Sequence, residues 1–403
     1  MSRRLLGFRC ISFRRVCKLI GMQTMIGLGI SGLVIAEPAA VIDAGKFATL
    51  QEAADAIPKT GGLLRIPPGT FEITEPIRIT TADTRVVGSG MATHIINKNT
   101  AGLPAILVEH PQLVNQKVPS KDRLWRVVIA DLRVTGNDKS GAGIEARYIE
   151  EIMVHGVSSS YNGGAGLRLH WCYEDPRVSD CLFTYNKQSG VAIEACHDII
   201  VSANHFEENQ DGVTCVDSFN LAMSGNNLDD HLGNGVVIEN TYGSVVASNM
   251  IEECQGWGIV IDRDCYGITM SANVIAHEFS GGIDLRDAHG CTVSANTFTI
   301  VKKIGLAVRD QSGGITITGN NFSDSWTGYD PSGKRTQRRD ETPSKTEQNP
   351  NDAAGILLDG CQAVVIVGNL FSGLNGESVT QQGKCESILM QTNQTHPSQD
   401  LVR

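Results

Sequence analysis

Asparagine returns along this chain on a beat. Asn204, Asn226, Asn249, Asn273, Asn296 and Asn320 stand 22 to 24 residues apart, and Asn369 follows after 49, two beats and a small remainder. A second series keeps phase with it: Gly143, Gly166, Gly190, Gly212, Gly235, Gly258, Gly282, Gly305 and Gly355, opening stretches such as "GVVIEN", "GIVIDR" and "GIDLRD". Self-similarity at a fixed period of this size restricts a chain to a stacked-repeat architecture and outranks any local helix or strand preference.

Within one beat, apolar and polar residues alternate at a spacing of two, with no 3.6-residue period. Each beat reads as three short strands joined by turns, one coil whose successor lies about 4.8 Å above it at parallel-strand spacing. The fold class is therefore all-β, a parallel β-helix. Phe206, Leu228, Ile251, Ile275, Phe298, Phe322 and Phe371 fall at equivalent places and should stack in one internal column. The repeated Asn marks the turn between the second and third strands. Asn tolerates left-handed backbone there, and its amide can donate to the coil above and accept from the coil below. The Asn series is read as structural.

These repeats resemble the right-handed parallel β-helix proteins of the pectate lyase type over residues 125 to 374, and "ATLQEAADAIPKTGGLLRIPPGTFEI" resembles that superfamily's entry segment. Thr49 and Glu52 form a capping-box pattern at the head of a short apolar helix that can plug the open end of the coil. The domain plan is a leader over 1–36, an N-terminal cap with the first coils over 37–124, the repeats over 125–374, and a tail over 375–403. A polar, Pro-containing insertion at 326–353 interrupts the repeats and carries Arg335, Arg338 and Arg339. At 403 residues the unbroken beat favours one elongated domain, expected to act as a monomer.

Residues 1 to 18 hold six basic residues and no acid, and the apolar stretch that follows ends in Val34, Ile35 and Ala36 before Glu37. This reads as a secretory signal or, uncleaved, as a membrane anchor; either way the coil is expected outside the cytoplasm, periplasmic or extracellular. Cleavage would leave 28 basic against 44 acidic residues. Such a balance excludes nucleic acid as a partner, because its binding needs clustered positive charge. Nine cysteines would remain. Cys215 falls at an inward position, and Cys172 and Cys196 are matched one beat apart, close enough to bridge; buried thiols are the favoured reading over a disulfide.

Counting each ladder glycine as zero, positions one and three face inward and positions two and four outward. Outward residues therefore make an ionisable stripe up one sheet. Its lower half matches Arg147, His170 and Glu194 at the fourth position and Tyr148 and Trp171 at the fifth, with Arg168 beside them and Tyr173 in the following turn. Arg147, His170, Tyr173 and Glu194 form the candidate catalytic set: Arg can hold a carboxylate, while His, Tyr or Glu can move a proton. Tyr148, Arg168, Trp171, Arg286 and Arg309 are candidate substrate-binding residues, the aromatic faces stacking on sugar rings. In the upper half Asp262, Asp264, Asp284 and Asp287 offer oxygen ligands for Ca²⁺, although Arg–Asp pairs repeated at intervals of 23 also read as a self-neutralising ladder.

The resemblance to pectate lyases implies an acidic metal site and an Arg base on this sheet. The sequence has no "GHG" element of the hydrolases of that fold and no "DPH" element of alginate epimerases. The expected function is an exported carbohydrate-active protein, a polysaccharide lyase or epimerase acting on a uronic-acid-containing polymer. The alternatives are a non-catalytic glycan-binding or structural β-helix at the cell surface and a glycoside hydrolase.

Overall fold

A computed structural model describes residues 40–113, 123–323, 354–374 and 376–396. The leader at 1–36 and the insertion at 326–353 lie outside the described residues. From Ala40 onward the chain winds as a right-handed parallel β-helix in which every strand pairing among the described residues is parallel. Four-residue strands such as Ile144–Arg147, Leu167–His170 and Val191–Glu194 stack in one 12-stranded sheet. The second and third strands of each coil, such as Arg177–Ser179 and Leu182–Thr184, build the other walls. Two stacked strands of one sheet differ by a full coil in sequence, so the beat of the sequence becomes the rise of the solenoid.

Three bends close each coil, and each uses the same local device: one residue in the left-handed region, followed by one side chain turned into the core. After the first sheet the left-handed residues are Tyr148, Trp171, Ala195, Asp217 and Asn240, with φ between 42° and 55°. The inward residues behind them are Ile149, Cys172, Cys196, Ser218 and Thr241, all fully buried. Between the second and third strands, Ala203, Ser248, Ala272 and Ala295 take φ of 53° to 57°, and Gly225, Gly319 and Gly368 take φ of 64° to 67°. The residue before each ladder asparagine thus bears the left-handed strain, and the asparagine itself faces inward. This corrects the expectation that Asn serves the turn by its own backbone; it serves by its side chain.

That side chain is fully used. The Asn273 amide nitrogen donates to Asn296 Oδ1 at 3.0 Å and to Val246 O at 3.0 Å, while its Oδ1 accepts from the backbone and side-chain nitrogens of Asn249, both at 3.0 Å. The same pattern runs from Asn204 to Asn369 and ends on Asn393. A second amide ladder occupies the third bend: Asn162 donates to Asn186 and Asn186 to Asn209, each at 2.8 Å. His231, Cys254 and Glu278 continue that column as fully buried groups. Asp229 and Asp230 therefore do not share a site with His231, whose ring lies inside the coil and accepts from Asn209 N at 3.2 Å.

Apolar rungs fill the remaining interior. Phe298, Phe322 and Phe371 stack with centroids 4.4 and 5.0 Å apart. The ladder glycine is needed beside this column, since a Cβ at Gly282 would sit 2.4 Å from Gly305 O and 2.8 Å from the Phe298 ring. The nine described cysteines are free thiols, eight of them buried, and Cys172 and Cys196 remain unbridged. At the N-terminal end Leu50–Asp55 forms the plug, with Thr49 accepting from Glu52 N at 3.1 Å. Gln51 accepts from Arg78 N at 2.8 Å, satisfying the open edge of the first sheet.

The coils do not stop at 374. Val379–Gln382 pairs with Ile356–Asp359, and Glu386–Gln391 pairs with Gln362–Val367. The apolar beat fades there because Gln381 and Thr395 occupy the rungs above Leu358 and Phe371. The backbone ladder continues, and Asn393 keeps the asparagine beat, where the apolar pattern has faded. Residues 397–403 lie outside the described residues.

Asn273→Ala should remove the acceptor of Asn249 and the donor to Val246 O and Asn296 in a dry core, costing on the order of 3 kcal/mol. Urea unfolding of this variant beside the exposed Ser224→Ala tests it; equal midpoints would show that the amide ladder is not a source of stability.

Candidate functional site

The first sheet brings Arg147, His170 and Glu194 onto one row of one face. Arg147 is the register partner of His170, and His170 of Glu194. Around the corner Tyr148 and Trp171 stack with centroids 5.9 Å apart and planes 9° from parallel. Both take left-handed backbone at φ 55°, a conformation costly for bulky residues and held only where the surroundings over-determine it. His170 packs edge-on against both rings.

Charge on this face is arranged in alternation. Arg147 Nε donates to Glu145 Oε1 at 2.8 Å and its terminal nitrogen reaches Glu109 at 3.4 Å. Arg168 lies between Glu194, at 2.6 Å, and Glu145, at 3.6 Å. Glu145 points outward yet is nearly covered by these arginines. His170 differs from its neighbours: among the described residues its ring makes no hydrogen bond or ion pair. Burial is the main cause that holds this imidazole below its ordinary value, with Glu194 pulling upward and Arg168 and Arg147 pushing further down. At neutral pH it is an uncharged base beside two guanidiniums.

Tyr173 sits one place further round the bend. Its ring lies 6.1 Å from Trp171 and under the Arg123 guanidinium at 4.5 Å, and burial raises its phenol above the ordinary value. It also starts an outward aromatic column not foreseen from the sequence: Tyr173, His197, Phe219 and Tyr242 follow one another with centroids 5.5 to 6.0 Å apart. Tyr266 bridges to Tyr242, and His289 pairs with Tyr266. The signal was present as a ring seven or eight residues after each ladder glycine, in "HWCY", "EACH", "DSF", "NTY", "DCY" and "DAH".

The upper half is organised differently from the expected calcium site. Asp284 is 0% exposed and is clasped by Arg309 Nε at 2.8 Å and Arg286 Nε at 2.5 Å. Asp262 is held by Arg286 at 3.5 Å and by Arg263 N at 2.7 Å, while Asp264 and Asp287 meet Tyr242 and His289. Asp262, Asp264, Asp284 and Asp287 do not converge as a ligand set, because register sets Asp284 against Val260 and Ala307 and not against Asp262. Arg286 and Arg309, offered as substrate ligands, have their guanidiniums turned onto Asp284.

Carboxylates do converge at the third bend, where Glu207, Asp229 and Glu252 are stacked in register with Glu208, Asp230 and Glu253 beside them. Ligand atoms of Glu252, Glu253 and His277 lie within 4.8 Å of one another, as do those of Asp229, Asp230 and Glu253. His277 is largely covered, and its pairing with Glu252 and then Glu253 raises it to about 9. Burial, then Glu253 and Asp229, raises Asp230 to about 6.

The fold is that of a right-handed parallel β-helix with one long 12-stranded sheet wall. Residues 120–277, 188–348 and 261–393 each match the NosD family, described as periplasmic copper-binding protein, in three overlapping frames as a repeat does. Together these cover more than half of the sequence, and the chain belongs to that family. None of the curated proteins matches it. Among solved structures it is similar to the GH87 alpha-1,3-glucanase catalytic unit of Streptomyces thermodiastaticus strain HF3-3, at TM-score 0.54 and 14% identity over 89% of this chain and 70% of that one. The mannuronan C-5 epimerase AlgE4 A-module of Azotobacter vinelandii gives 0.51 and 14% over 87% and 97%. Tailspike protein 2 of the Escherichia coli O157:H7 bacteriophage CAB120 gives 0.54 and 13% over 70% of this chain and 42% of the tailspike, so this chain spans less than half of it. At such identity these similarities speak for the fold.

The donors on the described residues do not fit copper(I). Eight thiols are buried in the core, several donating to backbone carbonyls as Cys196 does to Glu194 O at 3.3 Å, and the surface cluster sets one imidazole among carboxylates. Soft metals select thiolate and thioether, whereas carboxylates suit hard cations.

Two outcomes follow from this geometry. Asp284→Asn should lower stability by about 3 kcal/mol whether or not calcium is added, because it strands two half-buried guanidiniums; a loss that appears only with calcium present would return Asp284 to metal binding. Asp230 and His277 both have raised folded-state values, so each favours the fold at low pH. The His277 share is complete below 6.5 and lost as pH rises through about 9; the Asp230 share is lost as pH rises through about 6. Asp230→Asn should therefore gain melting temperature over the parent as pH rises from about 4 to about 8, and a pH-independent difference would refute the repulsion.

Proposed function

We propose that this protein is exported and acts on a uronic-acid-containing polysaccharide laid along the lower half of the first sheet, by β-elimination or epimerisation. The carrying observation is the uncharged, half-buried His170, in register between Arg147 and Glu194 and flanked by the strained Tyr148–Trp171 shelf. In this reading Arg147 turns its outer edge to the sugar carboxylate and neutralises it, so the proton on the neighbouring carbon becomes acidic. The His170 ring nitrogen takes that proton. For elimination, the electron pair left on carbon forms the new double bond as the glycosidic oxygen departs, and the raised phenol of Tyr173 supplies the leaving oxygen's proton. For epimerisation, the Tyr173 phenol gives a proton to the opposite face of that carbon, and it recovers one from water as His170 releases the proton it took. Arginine takes the neutralising role assigned to Ca²⁺ in lyase-like sites, since the expected aspartates are already paired.

Support comes from several sides. Similar folds include a mannuronan epimerase, a glucanase and a phage tailspike. The basic and then apolar leader, together with the family's periplasmic description, supports export, and no described helix is long and apolar enough to cross a membrane. A second reading has its own observation. The aromatic column from Tyr173 to Tyr242 extends well past the His170 row, as a non-catalytic surface gripping a glycan would.

His170→Ala should cut kcat/KM by roughly 100-fold to 10,000-fold on an acidic polysaccharide, with the melting temperature kept. The acid limb of the parent's profile should fall below 6.5, the ordinary imidazole value. Ultraviolet absorbance of an unsaturated uronide detects elimination, and solvent deuterium incorporation detects epimerisation. Neither signal on any acidic polymer, with retention of glycan that Phe219→Ala abolishes, would replace the enzyme by the binding protein.

A further inference from the structure

Most thiols in the core behave as small hydrogen-bonding rungs. Cys172 Sγ donates toward Ala146 O at 3.6 Å and Cys196 Sγ toward Leu169 O at 3.5 Å, both sealed from solvent. The pair at the C-terminal end is different. Cys361 Sγ lies 3.9 Å from Cys385 Sγ, and Cys385 is the one described cysteine that is not buried. Gln362 and Glu386, the next residues, are register partners on adjacent parallel strands. Strand neighbours about 4.8 Å apart fall inside the Cα separation a disulfide spans, so a side-chain rotation joins the sulfurs without moving the backbone.

We propose that Cys361 and Cys385 form a disulfide that staples the last described coil to the coil beneath it. The coil in question needs one. Among the described residues it rests on a neighbour on one side only, its inward rungs are polar at Gln381 and Thr395, and it exposes Leu389 and Met390. A bond closing the segment from 361 to 385 limits fraying at the end where side-chain packing is weakest. This inference is independent of the reaction proposed for the first sheet.

The chemistry is thiol–disulfide exchange with a small disulfide such as glutathione disulfide as oxidant. Cys385, within reach of solvent, attacks as thiolate. Its sulfur bonds to one glutathione sulfur and the other glutathione leaves as thiolate. Cys361 then gives up its proton and attacks the Cys385 sulfur, expelling the second glutathione. Two cysteine thiols are oxidised, one glutathione disulfide is reduced to two thiols, and the two protons end on the departing glutathiones. Burial pushes the Cys361 thiol up to about 12, so the second step is the slower one.

Full-length reduced protein is incubated with glutathione disulfide in native buffer, alkylated, digested and mapped by mass spectrometry. The expected product is a peptide pair joined through Cys361 and Cys385, with Cys172 and Cys196 alkylated only after unfolding. Oxidation should slow amide exchange in Glu386–Gln391 and raise the melting temperature, and Cys385→Ser should abolish both changes. Accumulation of glutathione on Cys385 with Cys361 still free, or survival of both thiols, would overturn the staple. A joined pair that leaves amide exchange unchanged would overturn its stabilising role.

Discussion

Everything in this molecule depends on satisfying polar groups inside a hollow coil. Three bends per turn deliver side chains to a dry interior, where an unpaired amide or hydroxyl costs about as much as several well-packed methylenes gain. The solution is to make each coil the hydrogen-bond partner of the next. Asn273 receives from Asn249 and gives to Asn296, and the neighbouring bend uses the thiol and hydroxyl column in the same way, with Cys196 N donating to Ser218 Oγ at 3.0 Å. No rung is satisfied alone. Stability is therefore a property of stacking, and the first and last described coils carry further contacts: Gln51 at one, and the thiol pair at the other.

How much of this was legible in the sequence follows from what repeats. The period, the inward Phe column and the row of Arg147, His170 and Glu194 could be read because position in the beat fixes position in space. What failed was anything decided within a coil. Asn was assigned the left-handed backbone that Ala272 and Ala295 adopt, since residue type alone does not tell which of two adjacent residues bends and which turns inward. Calcium was placed on Asp262 and Asp284 by counting carboxylates along a stripe. Two residues of offset along the strand are enough to give Asp284 to Arg286 and Arg309 instead. The aromatic column was missed for a different reason: its rings lie just past the strand, in positions with no apolar alternation to draw attention to them. The final coil is harder to read because its rungs are polar, although Asn393, 24 residues after Asn369, keeps the asparagine beat.

Register also constrains where chemistry can reside. On the first sheet like charges one rung apart would repel, so any ionisable residue tends to acquire an opposite partner above or below. Abundance of charge is consequently a poor guide to function here: Arg286, Arg309 and Asp284 are the most heavily charged spot on the wall and also the most completely neutralised. The informative residue is the one that the ladder leaves over. His170 is that residue, because its neighbours' charges are already matched, Arg147 with Glu145 and Arg168 with Glu194, and burial keeps the ring neutral. An uncharged base next to fixed cations is the arrangement that the proposed proton abstraction would use.

The third bend breaks the same rule in the opposite sense. Glu207, Asp229 and Glu252 are stacked like on like, and the imidazoles within reach are His205 beside Glu207 and His277 at the top. Repulsion there is only partly relieved, as the upward displacement of Asp229 and Asp230 shows, each driven first by burial and then by neighbouring carboxylates. On the first sheet too some rungs are like on like, Glu239 against Asp262 and Arg286 against Arg309, but there each has an opposite charge within reach. At the third bend six carboxylates stand together, a local cost that the packed core absorbs, and they give that edge of the coil an acidic character of its own. One rigid lattice thus carries a neutral, aromatic-edged face and an acidic ribbon, and the separation between them is fixed by hydrogen bonds that neither face supplies.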